Sequence, residues 1–367
     1  MRESGHDTTY RLERQCAHLA TVDLNSLLFR YEVDIAMMIQ NEFNGTFEIP
    51  IEWIQSSCFA STLPQDNSTT YKEESHHWFT RAENRKEQMD KYLYHSDGLY
   101  FDYNIKTKKQ QTYISATCLW PLWAGCCTEQ QAIKLVDVSL SHLEVRGGLV
   151  SGTQDSRGHI TLSRPNRQWD YPYGWAPHQL LAWQGLERYG FNEQARRLAY
   201  RWCYTITKAF VDYSGVVPEK FDIVNMTHLV NVEYGNVGVD FKYMPKEGFG
   251  WMNASYQVGL TYLTKFMKRA LGALMEPESL FEMMHDSSKW QDDPLPASFD
   301  NLQTLFAPFG QAVRVMSESD TLVETLTESQ SKLNVDYCVI TLLFPLVSTT
   351  DCNSYKRLQF IRTTNIP

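Results

Sequence analysis

Arg164-Pro-Asn-Arg-Gln-Trp-Asp-Tyr-Pro-Tyr-Gly-Trp-Ala-Pro-His-Gln179 packs three prolines, one glycine, two tryptophans, two tyrosines, two arginines and a carboxylate into sixteen residues. Pro172 and Pro177 fix their own φ and push the preceding residue away from helical angles, so the stretch reads as a rigid non-helical segment. Flat aromatic faces beside bidentate donors suit a ligand with CH faces and many hydroxyls, which is a sugar. The same composition also fits a Pro/Trp-rich structural loop. A second and a third element of the chain have to agree before the sugar reading holds.

On both sides of this stretch the apolar residues recur at three- and four-residue steps. Leu180, Trp183, Leu186 and Tyr189 make one helix closed by Gly190, and Ala195, Leu198, Trp202, Ile206 and Phe210 make the next. Upstream, a helix runs from Leu19 through Met38, another from about Glu74 to Tyr94, and further helices span Ser115–Cys126 and Glu129–Leu143. Ala254–Leu271 is the last clear helix. Residues 44–72 read as a loop or insertion, Asp97–Asn104 as a turn with a short extended piece, and residues 214–253 as irregular. The fold class is all-α, built of antiparallel helical hairpins with the chemistry-bearing residues in the loops at one end. Residues 283–367 lose the apolar periodicity and read as a poorly determined appendage.

A length of 367 residues suffices for a sizeable core, and 43% hydrophobic against 21% charged residues makes the chain a soluble globular protein. A net charge of −9 with no basic stripe argues against a nucleic-acid footprint. The longest apolar run, Val339–Val347, is too short to span a bilayer, and Met1–Gln15 has no apolar signal region. The eight cysteines lack paired CxxC spacing, so buried free thiols in a reducing, cytoplasmic compartment are expected. The adjacent Cys126 and Cys127 fall in a helical stretch. His6 and His178 have no partner at ligand spacing, so packing roles and no metal are expected. The absence of GxGxxG, P-loop and GxSxG motifs gives cofactor chemistry no support.

Hydrolysis of a glycosidic bond needs two carboxyls, one to protonate the leaving oxygen and one to activate water or attack. Asp7 in Arg2-Glu-Ser-Gly-His-Asp7 is the first candidate, with Arg2 as a sugar clamp and Gly5 permitting close backbone approach. Its competing reading is a helix cap or a fraying terminus. Glu219 in Val216-Val-Pro-Glu-Lys-Phe-Asp222 is the second, and Glu219-Lys220 also reads as a surface charge pair. Glu233 and Glu247 lie in Gly- and aromatic-rich loops and read as further ligand contacts or as turns. Asp170, between Trp169 and Tyr171, reads as a partner holding Arg164 and Arg167.

Together these stretches resemble the trehalase family, glycoside hydrolase family 37. Gln168-Trp-Asp-Tyr-Pro-Tyr-Gly-Trp-Ala-Pro177 is similar to that family's long second signature. Arg2–Asp7 is similar to the loop with its general acid, Val217–Asp222 to the segment with its general base, and Glu247–Asn253 to the close of its barrel. The His6-Asp7 form and the Glu233–Lys242 stretch look most like fungal neutral trehalases.

The resemblance implies a partial (α/α)6 toroid over residues 1–282, α,α-trehalose as the small-molecule substrate, and inversion to two glucoses without a cofactor. It implies Asp7 as acid and Glu219 as base through water, with Arg2, Gly5, Trp169, Asp170, Trp175, Glu233 and Glu247 around the sugar. The family's acid lies deep inside its chain, whereas Asp7 is the seventh residue here, so the chain is expected to be the C-terminal part of a longer protein. An acid so close to a chain end is expected to fray, and the alternative function is an inactive trehalase fragment that keeps sugar binding or a partner role.

Overall fold

The computed structural model describes residues 4–55, 69–215, 217–232 and 248–285. Of these, residues 4–33 and 80–285 form one compact unit, and residues 34–55 with 69–79 form a second. The boundary expected at residue 282 falls near the end of the described chain, and the appendage beyond residue 285 lies outside the described residues, as does Val339–Val347.

In chain order the elements are β1 (Leu19–Ala20), α1 (Val22–Glu42), β2 (Thr46–Pro50), α2 (Ile51–Gln55), β3 (Thr70–Glu74) and α3 (Ser75–Tyr92). Then come β4 (Tyr103–Asn104), β5 (Lys109–Gln110), α4 (Trp120–Ala124), α5 (Glu129–Leu143), β6 (Glu144–Val145), β7 (Gly148–Leu149) and α6 (Gln154–Arg157). The series ends with β8 (Tyr173–Gly174), α7 (Ala176–Arg188), α8 (Asn192–Asp212), β9 (Phe221–Asp222), α9 (Gly250–Tyr262), α10 (Lys265–Gly272) and α11 (Pro277–His285). The fold is all-α, and most strands are two-residue pairings that pin loops. The one longer ladder, β2 with β3, lies in the second unit and runs antiparallel from Thr46↔Glu74 to Pro50↔Thr70. Most of it falls within residues 44–72, which the sequence presents as irregular, and Glu73 and Glu74 extend it just beyond.

Period and caps explain the helices of the first unit. In α8 the residues Ala195, Leu198, Ala199, Trp202, Ile206 and Ala209 are all buried, one face of a 3.6-residue repeat. The start of α5 is fixed by a capping box: the Gln131 amide donates to Thr128 Oγ1 at 3.2 Å, and the Thr128 amide donates to Gln131 Oε1 at 2.8 Å. α7, α8 and α9 pack side by side, with α4 against α7, and Leu122, Trp183, Leu186, Leu198, Trp202 and Met252 fill the space between with no accessible surface.

Four expectations need correction. Ala176–Gln179 is not part of a non-helical segment but the first turn of α7, since Pro177 sits where a helix needs no amide donor. The helix expected over Ser115–Cys126 is a 3-10 turn over Ala116–Leu119 followed by α4, and Cys126 and Cys127 come after its left-handed Gly125 cap rather than in a helix. Ala254–Leu271 is two helices, because Leu263 is extended and Thr264 accepts from the Met267 amide to start α10. Finally, Ala254–Leu271 is not the last helical stretch, since α11 follows it at Pro277–His285.

Candidate functional site

Trp169 and Trp175 form the centre of the candidate site. Their rings lie face to face, centroids 3.8 Å apart and planes within 5°. Each indole also meets one of the two candidate carboxylate loops. His6, next to Asp7, lies edge-on to Trp169 at 4.8 Å. Lys220, next to Glu219, puts its ammonium 5.0 Å from the Trp175 ring. The pair is thus the link between two segments some two hundred residues apart in sequence.

The Asp7 side is held by four sets of contacts. Gln168 Nε2 donates to the Asp7 carbonyl oxygen, and the Trp169 amide donates to the Thr8 carbonyl at 3.2 Å. Asp170 then takes up the following residues: Thr9 Oγ1 donates to it at 2.6 Å, the Tyr10 amide at 3.0 Å and the Tyr113 hydroxyl at 2.6 Å. Arg164 and Arg167 stack on the Tyr10 ring, guanidinium carbons 3.6 and 3.9 Å from its centroid. Further along, Arg11 is buried between Asp23 and Asp102, with Nη1–Oδ2 at 2.9 Å and Nε–Oδ2 at 2.7 Å. Asp7 is therefore anchored through its backbone and its neighbours, and the expected fraying is not what the structure has. Gly5 supplies the turn before it at φ +77, a conformation that side chains with a Cβ rarely take.

The Glu219 side is held through backbone pairing. Tyr173 in β8 faces Asp222 in β9, and Gly174 faces Phe221. A Cβ on Gly174 would lie 2.6 Å from Ile223 Cδ1, so any side chain here would force Ile223 to shift. Two residues before β9, the Glu219 carbonyl accepts from Trp251 Nε1 at 3.1 Å, and Trp251 meets Trp175 edge-on at 5.6 Å. Lys220 Nζ reaches Glu219 Oε2 at 2.8 Å. Lys220 has no accessible surface, so the pair is not the surface charge pair that the sequence also allowed.

The electrostatics follow from burial. His6 Nε2 and His178 Nε2 are 3.1 Å apart and both rings are buried. Burial drives the His6 imidazole below its ordinary value, with Asp23 opposing and Arg11 adding to the effect. Burial drives His178 further down, helped by His6. Burial alone would raise the Asp23 carboxyl, but the Arg11 guanidinium overrides it and, with His6, holds Asp23 well below the carboxylate range. Asp170 is raised by burial, with the Thr9 and Tyr113 hydroxyl bonds opposing.

The structure thus brings Asp7, Gly5, Trp169, Asp170, Trp175 and Glu219 into one unit. Arg2, Glu233 and Glu247 lie outside the described residues. Asp170 is not the partner of Arg164 and Arg167 that the sequence suggests. Its oxygens are taken by Thr9, Tyr10 and Tyr113, while the arginines use Tyr10, Glu13 and backbone carbonyls. The tryptophans hold each other and are 7% and 2% exposed, so their stacked faces are closed to a ligand. The sequence does not disclose the His6–His178 contact, which spans 172 positions, or the burial of Lys220, whose pairing with the adjacent Glu219 fits an exposed site equally well. A separate cavity of about 420 Å³ is lined by Tyr10, Arg11, Gln15, Gln111, Tyr113 and Asp155 among others. None of Asp7, Trp169, Trp175 or Glu219 lines it.

The model of the family described as Trehalase matches residues 1–264. The chain belongs to the trehalase family. It is 53% identical over 290 residues to a cytosolic neutral trehalase of Neurospora crassa, covering 78% of this chain and 38% of that protein. It is 49% identical over 292 residues to a cytosolic neutral trehalase of Saccharomyces cerevisiae, covering 79% of this chain and 37% of that protein. Among solved structures it is similar to neutral trehalase Nth1 of Saccharomyces cerevisiae, with a TM-score of 0.65 and 46% identity over 77% of this chain and 44% of the other. The chain spans less than two-fifths of the length of these two fungal relatives, and the helical fold expected from the family resemblance stands.

Proposed function

We propose that this chain carries the acid and the base of a cytosolic α,α-trehalase that inverts configuration at the anomeric carbon. Asp7 in its protonated form gives its proton to the glycosidic oxygen as the C1–O bond breaks. Glu219 as carboxylate takes a proton from a water whose oxygen attacks C1 on the opposite face. Two glucose molecules leave, one with inverted configuration, and solvent returns the proton from Glu219 to Asp7. An inverting pair works with its carboxyls about 6.5–9.5 Å apart, leaving room for the water.

The observation that carries this reading is the double tether on one segment. Gln168 and Trp169 hold the backbone at Asp7–Thr8, and Tyr173–Gly174 pair with the strand that follows Glu219. A rigid support for two loop carboxylates is what positional catalysis requires, since a misplacement of about 1 Å costs up to a hundredfold in rate. Lys220 contributes by fixing the Glu219 side chain.

The test is glucose release from α,α-trehalose by the purified chain, with sucrose and maltose as controls. Release from trehalose alone supports the reading. Binding of trehalose by folded chain without release supports the alternative, an inactive member of the family that retains sugar recognition.

A further inference from the structure

The His6–His178 contact has a direction that the surrounding atoms dictate. His6 Nδ1 lies 3.1 Å from the Ser4 carbonyl oxygen and 3.4 Å from Asp23 Oδ2, and both of these accept. A neutral His6 ring therefore keeps its proton on Nδ1 and presents a lone pair at Nε2. His178 Nε2, 3.1 Å away, must then be the donor. That assignment leaves His178 Nδ1 as a bare lone pair, and the structure places this atom in the interior with no hydrogen-bond partner. An N–H at the same place would be an orphaned donor, and a charged ring would add the cost of burying an ion.

The location gives the bond a task. His178 is in the first turn of α7, whose next residue, Gln179, is locked to Leu149 by bonds of 2.7 and 3.0 Å in both directions. His6 is the neighbour of Asp7, and its own amide donates to Ser4 Oγ at 3.2 Å. The Ser4–Asp7 turn thus hangs between the Gln168 bond to its last carbonyl and the His178 bond to its histidine ring. We propose that His178 is a positioning residue for Asp7, donating from Nε2 to His6 Nε2 and so fixing the turn that bears the acid. The inference rests on the reading of Asp7 as the acid, but its structural half does not.

The experiment uses the full chain. Nitrogen NMR of the imidazoles at neutral pH is expected to find the proton of His6 on Nδ1 and that of His178 on Nε2. A doubly protonated His6 would overturn the proposal. His178→Phe keeps a ring but no donor, while His178→Gln keeps a donor near the Nε2 position. The Phe variant is expected to speed amide exchange at residues 5–8 by about five- to tenfold, the worth of one buried hydrogen bond. It is also expected to lower kcat with KM little changed. The Gln variant is expected to recover most of both. Equal damage in Phe and Gln, or unchanged exchange in Phe, would overturn the proposal. If Phe does not fold, as its melting curve would reveal, the wild-type tautomers decide. A wild type that never hydrolyses trehalose counts against the role of Asp7, whereas exchange and tautomers still decide whether His178 fixes the turn.

Discussion

Trp169 and Trp175 stack on each other at 3.8 Å, and each closes the other's face to solvent. Trp175 also donates from Nε1 to the Gln168 carbonyl at 2.7 Å and carries Lys220 on its ring. Trp175→Ala removes all three contacts and leaves a cavity beside a buried ammonium. The expected loss of stability is about 3–5 kcal/mol, the range for truncating a large buried aromatic residue. Trp175→Phe keeps an aromatic ring and loses the donor, for an expected cost of about 1–2 kcal/mol. Urea unfolding of both variants, followed by circular dichroism, checks the order. Equal losses would mean that the stack contributes little.

The two carboxylates separate activity from stability. Asp7 is tethered through its backbone, so Asp7→Asn is expected to leave the unfolding midpoint unchanged while glucose release falls by about 100- to 10,000-fold. Glu219→Gln is expected to lose activity to the same degree and, in addition, about 1–2 kcal/mol of stability. The second loss arises because the buried Lys220 ammonium exchanges a carboxylate for a neutral amide. Steady-state kinetics and denaturant titration on the same samples check both statements. Unchanged hydrolysis in either variant would remove that residue from the chemistry.

Much of the helical framework is legible in the sequence because it depends on local rules. The buried face of α8 is written in Ala195, Leu198, Trp202 and Ile206, and the start of α5 in the Thr128–Gln131 box. The break between α9 and α10 is not, because Leu263 continues the apolar run and only the Thr264 side chain ends it. Candidate site residues can be nominated from motif resemblance, but the contacts they make in the fold cannot. His6 meets His178 across 172 positions, and Thr9 meets Asp170 across 161. Contacts of that separation leave no periodic trace, and Asp170 beside two arginines looks like an ion pair until the fold brings in Thr9 and Tyr113.

Gly174 and Ile223 form a coupled pair. A Cβ at position 174 would overlap Ile223 Cδ1 at 2.6 Å and Cγ2 at 2.8 Å. Gly174→Ala is expected to cost about 1–3 kcal/mol, the usual range for overpacking, and to lower activity by displacing the strand that follows Glu219. Ile223→Ala makes room for the new methyl, so the double variant is expected to be less destabilised than the sum of the singles by about 1 kcal/mol. A double-mutant cycle in urea measures this coupling. Strict additivity would show that β8 and β9 part without regard to the side chain.

Acid should loosen the fold in two stages. His6 and His178 are held below the ordinary imidazole value of 6.5 by burial, so the unfolded chain takes up protons there before the folded one does. Their contribution is therefore complete above about pH 6.5 and shrinks as the pH falls below it. Asp23 is depressed by Arg11 despite its burial, so its contribution is complete above the ordinary carboxylate value of about 3.9 and is lost as the pH falls further. Unfolding free energy measured in urea from pH 8 to pH 3 is expected to decline first below about 6.5 and again below about 4. His178→Gln should reduce the first decline, leaving the part due to His6, and leave the second in place. Asp23→Asn should lower the whole curve, since it leaves the buried Arg11 with Asp102 alone, and remove most of the second decline. A wild-type curve that is flat between pH 7 and pH 5 would mean that the two imidazoles titrate alike in folded and unfolded chain, contrary to their burial.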